Sequence, residues 1–257
     1  MLSLPERLQQ VEQRIHAAAA RAGRKRSDVT LVAVTKKFSA EVIREAYGLG
    51  LRHFGENYVQ EFETKHAAVK DLADATFHFI GHLQSNKARA AAQIFHVIET
   101  VDSAKLARRL NDNATPDNAT PDNATPDNAT PDNATPDNAT PDNATPLDVM
   151  IEVKLSEEEA KAGAAPDELP AVIDAIRACR NLRLSGLMTM PPWSDDAETS
   201  RPYFRRLATL GRAHGIEKLS MGMSHDFEAA IEEGATHVRV GTALFGIRPK
   251  GARGEGL

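Results

Sequence analysis

Short apolar runs rich in β-branched residues alternate along the chain with longer segments in which apolar and polar positions are mixed at helical spacing. This alternation is typical of βα units around a parallel sheet. We therefore predict a single (β/α)8 TIM barrel preceded by a helix over residues 5–22, with an open doubly wound sheet as the alternative. The predicted strands span residues 29–35, 52–56, 77–81, 95–100, 147–154, 183–188, 218–221 and 236–240. The helices between them span residues 39–49, 58–70, 85–93, 103–110, 167–179, 198–214 and 226–233.

One segment departs from this pattern, because residues 112–146 are seven copies of the pentapeptide Asp-Asn-Ala-Thr-Pro. The repeats contain no aliphatic residue larger than alanine, and proline at every fifth position excludes regular helix and sheet hydrogen bonding. We expect a solvated loop between a helix and the fifth strand, on the barrel face opposite the C-terminal strand ends. The Asn-Ala-Thr triplets match the N-glycosylation pattern, which matters only in a secretory compartment, so a low-complexity insertion is the favoured interpretation.

The length of 257 residues, 222 of them outside the repeats, suits one domain, and we expect residues 1–257 to form a single barrel domain interrupted at 112–146. The formal net charge of −5 comes from the seven acidic residues of the repeats, because the remainder holds 31 basic and 29 acidic residues. This balance argues against nucleic acid as a partner. Without a signal peptide, a membrane-spanning run or a second cysteine beside Cys179, we expect a cytoplasmic protein.

The first predicted strand ends in a lysine. Lys36 follows the apolar and β-branched residues 30–35, at the C-terminal mouth where parallel α/β folds place their chemistry. Burying an ammonium there is costly, and the cost is relieved when the amine is neutral or is converted to an imine. For residues 35–37 alone, a lysine that reaches solvent is the favoured alternative. Lys37 should face the opposite side.

Two segments near the end of the chain are suited to binding phosphate. Barrel enzymes commonly hold phosphate with the loops after strands seven and eight. Residues 220–224 follow the seventh predicted strand, where backbone amides and the Ser224 hydroxyl can meet an anion. Gly241 and Thr242 follow the eighth strand, where glycine lets the backbone approach closely. A lysine amine and a separate phosphate site together match the aldehyde and the phosphate of pyridoxal 5′-phosphate (PLP).

Further polar residues are candidates for the rest of such a site. If the valines on either side of Arg239 face the helices, its guanidinium points into the barrel, where it can donate to the pyridine nitrogen of PLP. A structural salt bridge is the alternative. Asn57 can hydrogen-bond the ring hydroxyl, and His82 and Asn86 can line the pocket. The nine histidines form no pair at ligand spacing with a cysteine or carboxylate cluster, so no metal site is predicted.

These segments resemble the pyridoxal phosphate homeostasis proteins, which share the fold-type III PLP-binding barrel of the alanine racemase N-terminal domain. The matching segments are residues 32–36, 54–61, 78–87, 186–190, 219–224 and 238–246. The resemblance implies that Lys36 carries the cofactor as an imine and that Arg239 faces the ring nitrogen. The phosphate-binding residues that it implies are Ser224, Gly241 and Thr242. Thr35 departs from the motif, which usually has serine before the lysine.

The resemblance implies a PLP-binding protein of intracellular PLP homeostasis, a carrier or buffer without robust catalysis. A racemase of this fold needs a second acid or base, which that family takes from a tyrosine on a separate β-domain, and the residues after 246 are too few for one. The alternatives are a PLP-dependent amino-acid racemase or decarboxylase using Tyr58 or His82, and a phosphosugar-binding barrel without PLP. We expect a monomer whose partners are PLP and the apo forms of PLP-dependent enzymes.

Overall fold

The computed structural model describes residues 2–114, 146–156 and 162–246. Eight parallel strands in these ranges form a closed barrel in chain order, with β8 hydrogen-bonded to β1. The strands are β1 Thr30–Val34, β2 His53–Glu56, β3 Thr76–Phe79, β4 Val97–Val101, β5 Leu147–Glu152, β6 Leu182–Met188, β7 Leu219–Met223 and β8 His237–Val240. The predicted (β/α)8 barrel is therefore confirmed, and the open sheet is wrong.

Helices connect the successive strands, and the leading helix packs against the helices at the end of the barrel. They are α1 Leu4–Arg21, α2 Ala40–Gly48, α3 Val59–His66, α4 Ala88–Ile94, α5 Ala104–Asn111, α6 Leu169–Arg177, α7 Arg201–His214, α8 Phe227–Glu232 and α9 Thr242–Phe245. Short 3-10 turns cover Arg26–Asp28, Ser85–Lys87 and Ala197–Ser200. Within the described ranges, no helix is both long enough and apolar enough to cross a membrane.

Several predicted helices begin or end differently. The helix predicted over 58–70 ends at His66, and turns follow in which the amides of Val69 and Leu72 bond carbonyls three residues back and both side chains are buried. The segments predicted as helices over 85–93 and 198–214 each begin with a 3-10 turn before the α-helix. The short helix α9 was not predicted, because four residues are too few to show helical periodicity.

Strand residues alternate between the helix layer and the barrel interior. In β8, Val238 and Val240 belong to the main hydrophobic core between strands and helices, whereas the buried Arg239 bonds Ser220 of β7. The interior is partly apolar, with a separate small cluster of Val97, Met150 and Met188. Charged and polar side chains share this interior, which barrels usually fill with branched apolar residues.

The ends of the pentapeptide tract lie close together at the N-terminal side of the barrel. Asn181 donates from its backbone and side-chain nitrogens to Asn111 at the end of α5, and its carbonyl accepts from the Leu147 amide at the start of β5. The first repeat residues continue the end of α5, and Ala114 is buried in the main core, contrary to the expectation of a wholly solvated loop. The rest of that expectation concerns residues 115–145, which lie outside the described residues.

Candidate functional site

A cavity of about 510 Å³ opens where the strands end, and all six predicted site residues line it. A volume of this order suits a small organic ligand, especially where apolar walls carry a few polar groups. These six are Lys36, Asn57, Ser224, Arg239, Gly241 and Thr242, and His225 and Gly246 line the cavity as well. The apolar part of the lining includes Val34, Phe38, Ile80, Met190, Trp193 and Met223.

Lys36 enters the cavity from the turn that follows β1. Its side chain is half-buried and lines the cavity, whereas Lys37 is exposed and its backbone has a left-handed φ of 64°. The Thr35 amide donates to the Gly55 carbonyl on β2 at 3.0 Å, and the Thr35 carbonyl accepts from the Phe38 amide at 3.0 Å. The two lysines therefore face different environments, as their positions in the sequence predict.

Ser224 lines the same cavity from the turn after β7, and a glycine near the end of β7 shapes the chain before it. Gly222 has a φ of 90°, and a Cβ there would lie 2.5 Å from that of Ala230. The Ser224 Oγ accepts the backbone N–H groups of Gly241 at 3.1 Å and Ala243 at 3.3 Å. Two amides of the β8–α9 turn thus converge on one oxygen at the cavity wall, which is the donor arrangement that a phosphate oxygen needs.

Arg239 places a buried cation in the same cavity. Its guanidinium donates to the Ser220 Oγ at 2.7 Å and to the Thr189 carbonyl at 2.9 Å, and it lies 4.0 Å from the Glu99 carboxylate. Burial lowers the pKa of Arg239, and the charge of Glu99 opposes this shift. A guanidinium has further N–H donors beyond these two bonds, so Arg239 can also donate to a ligand.

Arg239 is the last member of a series of hydrogen-bonded side chains inside the barrel. We call this series the interior polar row, and its members are His53, His78, Glu99, Ser220 and Arg239. The Glu99 carboxylate accepts from Ser220 at 2.5 Å and contacts the His78 ring at 2.7 Å, and His78 contacts His53 at 3.0 Å. Burial alone would raise the pKa of Glu99, but the His78 bond and the charges of His78 and Arg239 outweigh it and lower that pKa to about 2. Glu99 is therefore an anion at neutral pH that balances the buried arginine.

Two buried polar atoms at the cavity have no hydrogen-bond partner within the described part of the chain: Asn57 Oδ1 and His225 Nε2. Such atoms are uncommon in native proteins, and they mark places where a ligand or water completes the bonding. Gly81 lets the β3 end approach Asn57 closely, because a Cβ at that position would lie 2.1 Å from the Asn57 carbonyl oxygen. The polar lining therefore fits a cofactor with a phosphate, a basic ring nitrogen and an aldehyde.

An adjoining cavity of about 900 Å³ shares Met190, Trp193 and Met223 with the first. His82 and Glu152 line this second cavity, so the predicted pocket histidine lies beside the six-residue site and not in it. Burial raises the pKa of Glu152 to about 7, although the Arg239 charge opposes the rise. Asn86 is exposed on the 3-10 turn Ser85–Lys87. Across residues 2–114, 146–156 and 162–246, no three metal-ligating side chains are grouped.

The buried carboxylates near the cavity were not predicted from the sequence. Glu56 ends β2, Glu99 lies within β4 and Glu152 ends β5, and each is at most 4% exposed. A charge inside an otherwise apolar strand was the available signal, because buried carboxylates require partners. Glu99 in the run Val-Ile-Glu-Thr-Val is the clearest case.

Comparison with known proteins decides the family. The family model for the alanine racemase N-terminal domain matches residues 7–249. A Pseudomonas aeruginosa protein named pyridoxal phosphate homeostasis protein is 41% identical over 254 residues, which cover 98% of this chain and 99% of the relative. The chain belongs to the pyridoxal phosphate homeostasis protein family. The resemblance seen in the six sequence segments is thereby confirmed.

Solved structures agree with this membership. The structure of PipY from Synechococcus elongatus with PLP bound is 35% identical, matches with a TM-score of 0.72, and covers 95% of this family member and 100% of PipY. Alanine racemase from Corynebacterium glutamicum is 18% identical with a TM-score of 0.59, over 96% of this chain and 63% of the racemase. The second likeness shows the barrel fold alone.

Proposed function

We propose that this protein binds PLP through Lys36 and serves intracellular PLP homeostasis as a carrier or buffer. The observation that carries the proposal is the single cavity that unites a lysine amine, the amide pair at Ser224 and the buried cation Arg239. PLP supplies an aldehyde, which condenses with a primary amine to an imine and water. The printed names of the relatives and the PLP-bound PipY support the same cofactor.

Different residues of the cavity bind different chemical groups of the cofactor. Lys36 provides the amine, and Ser224, Gly241 and Thr242, which line the same cavity, hold the phosphate. The amides of Gly241 and Ala243 donate to the Ser224 hydroxyl in this structure. A phosphate oxygen that replaces this hydroxyl as acceptor, or shares the two amides with it, gains two backbone donors. This arrangement is largely preformed, so little conformational entropy is lost on binding.

Two residues hold the ring. Arg239 donates to the pyridine nitrogen, and because arginine stays protonated, that nitrogen remains an unprotonated acceptor and the ring a weak electron sink. Asn57 bonds the ring hydroxyl, which completes its partnerless Oδ1. A weak electron sink stabilises a substrate carbanion poorly, which favours holding the cofactor over using it in catalysis.

The absence of robust catalysis is part of the proposal. Among the described residues that line this cavity, none is a tyrosine or a carboxylic acid, and His225 is the side chain there that could act as a second proton carrier beside Lys36. Tyr58 is half exposed outside this lining. We further propose that the protein works as a monomer in the reducing cytoplasm, where its lone Cys179 stays a thiol, and that it passes PLP to apo-enzymes.

The covalent site is tested with a pair of lysine variants. Lys36→Ala should abolish the visible absorbance of the imine and the borohydride-stable labelling of the protein by PLP. Lys37→Asn is the matched control and should preserve both, since asparagine tolerates the left-handed backbone at this exposed position. Absorbance spectra and peptide mapping after reduction give the result. Labelling that persists in Lys36→Ala, or maps to Lys37, contradicts the assignment.

The carrier role is tested by transfer. Purified, PLP-loaded protein should activate an apo form of a PLP-dependent enzyme, and should racemise or decarboxylate common amino acids far more slowly than dedicated enzymes, whose turnover is on the order of 1–10³ s⁻¹. Chiral chromatography and amine detection measure the turnover. Rapid, stereochemically defined conversion of one amino acid would contradict the carrier role and show that the protein is an enzyme.

A further inference from the structure

Behind the cavity, helix α3 carries a buried lysine outside the site described above. The Lys65 side chain is 8% exposed, and its Nζ lies 3.0 Å from Glu56 Oε1, 2.6 Å from Glu61 Oε1 and 3.1 Å from the Thr35 carbonyl oxygen. The ammonium hydrogens are therefore matched by two carboxylates and a carbonyl. We call Glu56, Glu61 and Lys65 the ionic clamp.

The ionic clamp holds the backbone on both sides of Lys36. On one side, the Thr35 carbonyl accepts from Lys65, and the Thr35 hydroxyl donates to Glu56 Oε1 at 2.8 Å. On the other side, the backbone N–H of Lys37 donates to the Glu61 carboxylate. Lys37 has the left-handed φ of 64°, a conformation that persists only where surrounding contacts impose it.

Buried ion pairs are a poor way to gain stability, because desolvation cancels much of their attraction. They are a good way to fix a geometry, since each partner must be matched. Three bonds of the clamp to the turn fall on residues 35 and 37, and the residue between them lines the cavity. The cluster is thus placed to orient one side chain.

We infer that Lys65, with Glu56 and Glu61, is a positioning residue that holds the backbone of Lys36 so that its amine faces the cofactor aldehyde. This inference rests on the proposed function, because it assigns the clamp to the covalent bond between Lys36 and PLP. Covalent capture depends on the effective concentration of the amine at the aldehyde, which orientation controls. The clamp should leave the ring and phosphate contacts unaffected.

The test compares PLP with pyridoxamine 5′-phosphate, which has the same ring and phosphate but no aldehyde and so forms no imine. Lys65→Met should lower the ratio of PLP affinity to pyridoxamine 5′-phosphate affinity by about tenfold or more. The fraction of bound PLP fixed by borohydride should fall as well. Lys70→Met, which changes an exposed lysine shortly after the same helix, is the matched control and should keep the wild-type ratio.

Glu61→Ala provides a second variant in case Lys65→Met fails to fold, since Glu61 is partly exposed and its loss frees the Lys37 amide. It should lower the same ratio. Equal losses for both ligands, or an unchanged ratio in a folded variant, would overturn the inference. Wild-type protein that borohydride does not label with PLP would instead overturn the proposed function, so the two failures are distinguishable.

Discussion

Arg239 shows how a single side chain joins the cavity to the barrel interior. Its bonds to Ser220 and the Thr189 carbonyl fix the guanidinium, and Glu99 at 4.0 Å balances its charge. These partners account for its burial without any ligand, so the salt-bridge alternative and the ring-nitrogen role are compatible. The question to be tested is whether Arg239 also donates to the ring nitrogen of the cofactor.

Arg239→Gln should weaken PLP binding and change the visible spectrum of the bound cofactor while Lys36 still forms the imine. Loss of one charged donor is worth about 1.5–3 kcal/mol, or roughly 10- to 150-fold in affinity. Titration followed by absorbance measures both effects. Arg205→Gln, on the exposed face of α7, is the control. Affinity and spectrum that stay unchanged in Arg239→Gln would leave the arginine with a structural role only.

At this scale the sequence predicted the positions that follow directly from strand ends. Lys36, Asn57, Ser224 and Gly241 could be placed at one mouth because parallel strands share their C-terminal edge. Lys65 could not be recognised in the same way. A lysine at a polar helical position looks solvent-exposed until tertiary packing brings its carboxylate partners beside it.

Among the elements, the interior polar row ties together strands that are far apart in sequence. His53 on β2, His78 on β3, Glu99 on β4 and Ser220 on β7 bond side chain to side chain across the barrel. His237 at the start of β8 lies beside His78, with ring centroids 6.3 Å apart. Strand alternation predicted that Arg239 faces inward, but the row depends on register between strands, which one sequence does not specify.

The stability of the protein should depend on pH through His237, which lies beside the interior polar row. Burial lowers its pKa from 6.5 to about 4, so the unfolded chain binds the proton first as pH falls. The stabilisation is present above pH 6.5 and is lost between 6.5 and 4, by roughly 3 kcal/mol at most. Glu56 and Glu152 act in the opposite sense, because burial raises the pKa of each to about 7.

Because these groups have opposite effects, the contribution of His237 is measured as the difference in unfolding free energy between wild type and a His237 variant. Urea unfolding of wild type and His237→Gln, followed from pH 7 to pH 4, should show the stability advantage of wild type shrinking as pH falls. The carboxylates are common to both proteins and cancel in the difference. An advantage that is constant over this range would mean that His237 titrates alike in the folded and unfolded chain.

On the scale of the whole molecule, the cavity and the pentapeptide tract lie at opposite ends of the barrel. The cavity opens after the C-terminal strand ends, and the two residues that flank the tract, Asn111 and Leu147, bond Asn181 at the N-terminal side. We propose that residues 1–257 form one domain that the tract interrupts without dividing. The periodicity predicted the closed barrel, whereas burial of Ala114 was hidden by its place in a polar repeat.

Replacing residues 115–145 with a short Gly/Ser turn should leave PLP affinity and spectrum unchanged, with a Tm equal to or slightly above that of wild type. Loop-closure entropy changes by only about 0.6 kcal/mol per doubling of loop length. A replacement that also removes Ala114 should lower the Tm, since a buried core residue is lost. Binding titrations and thermal unfolding test this, and a large loss of PLP binding in the shorter replacement would contradict it.

The hydrogen bonds of Asn181 to the residues on both sides of the tract allow the number of repeats to change. Because a single residue bonds both flanks of the tract, the gain or loss of one Asp-Asn-Ala-Thr-Pro unit alters neither flank and, in DNA, preserves the reading frame. A change in copy number therefore leaves the residues that line the cofactor cavity in place. The same junction offers engineers a permissive site, where a reporter domain can be inserted at the end of the barrel away from the cofactor.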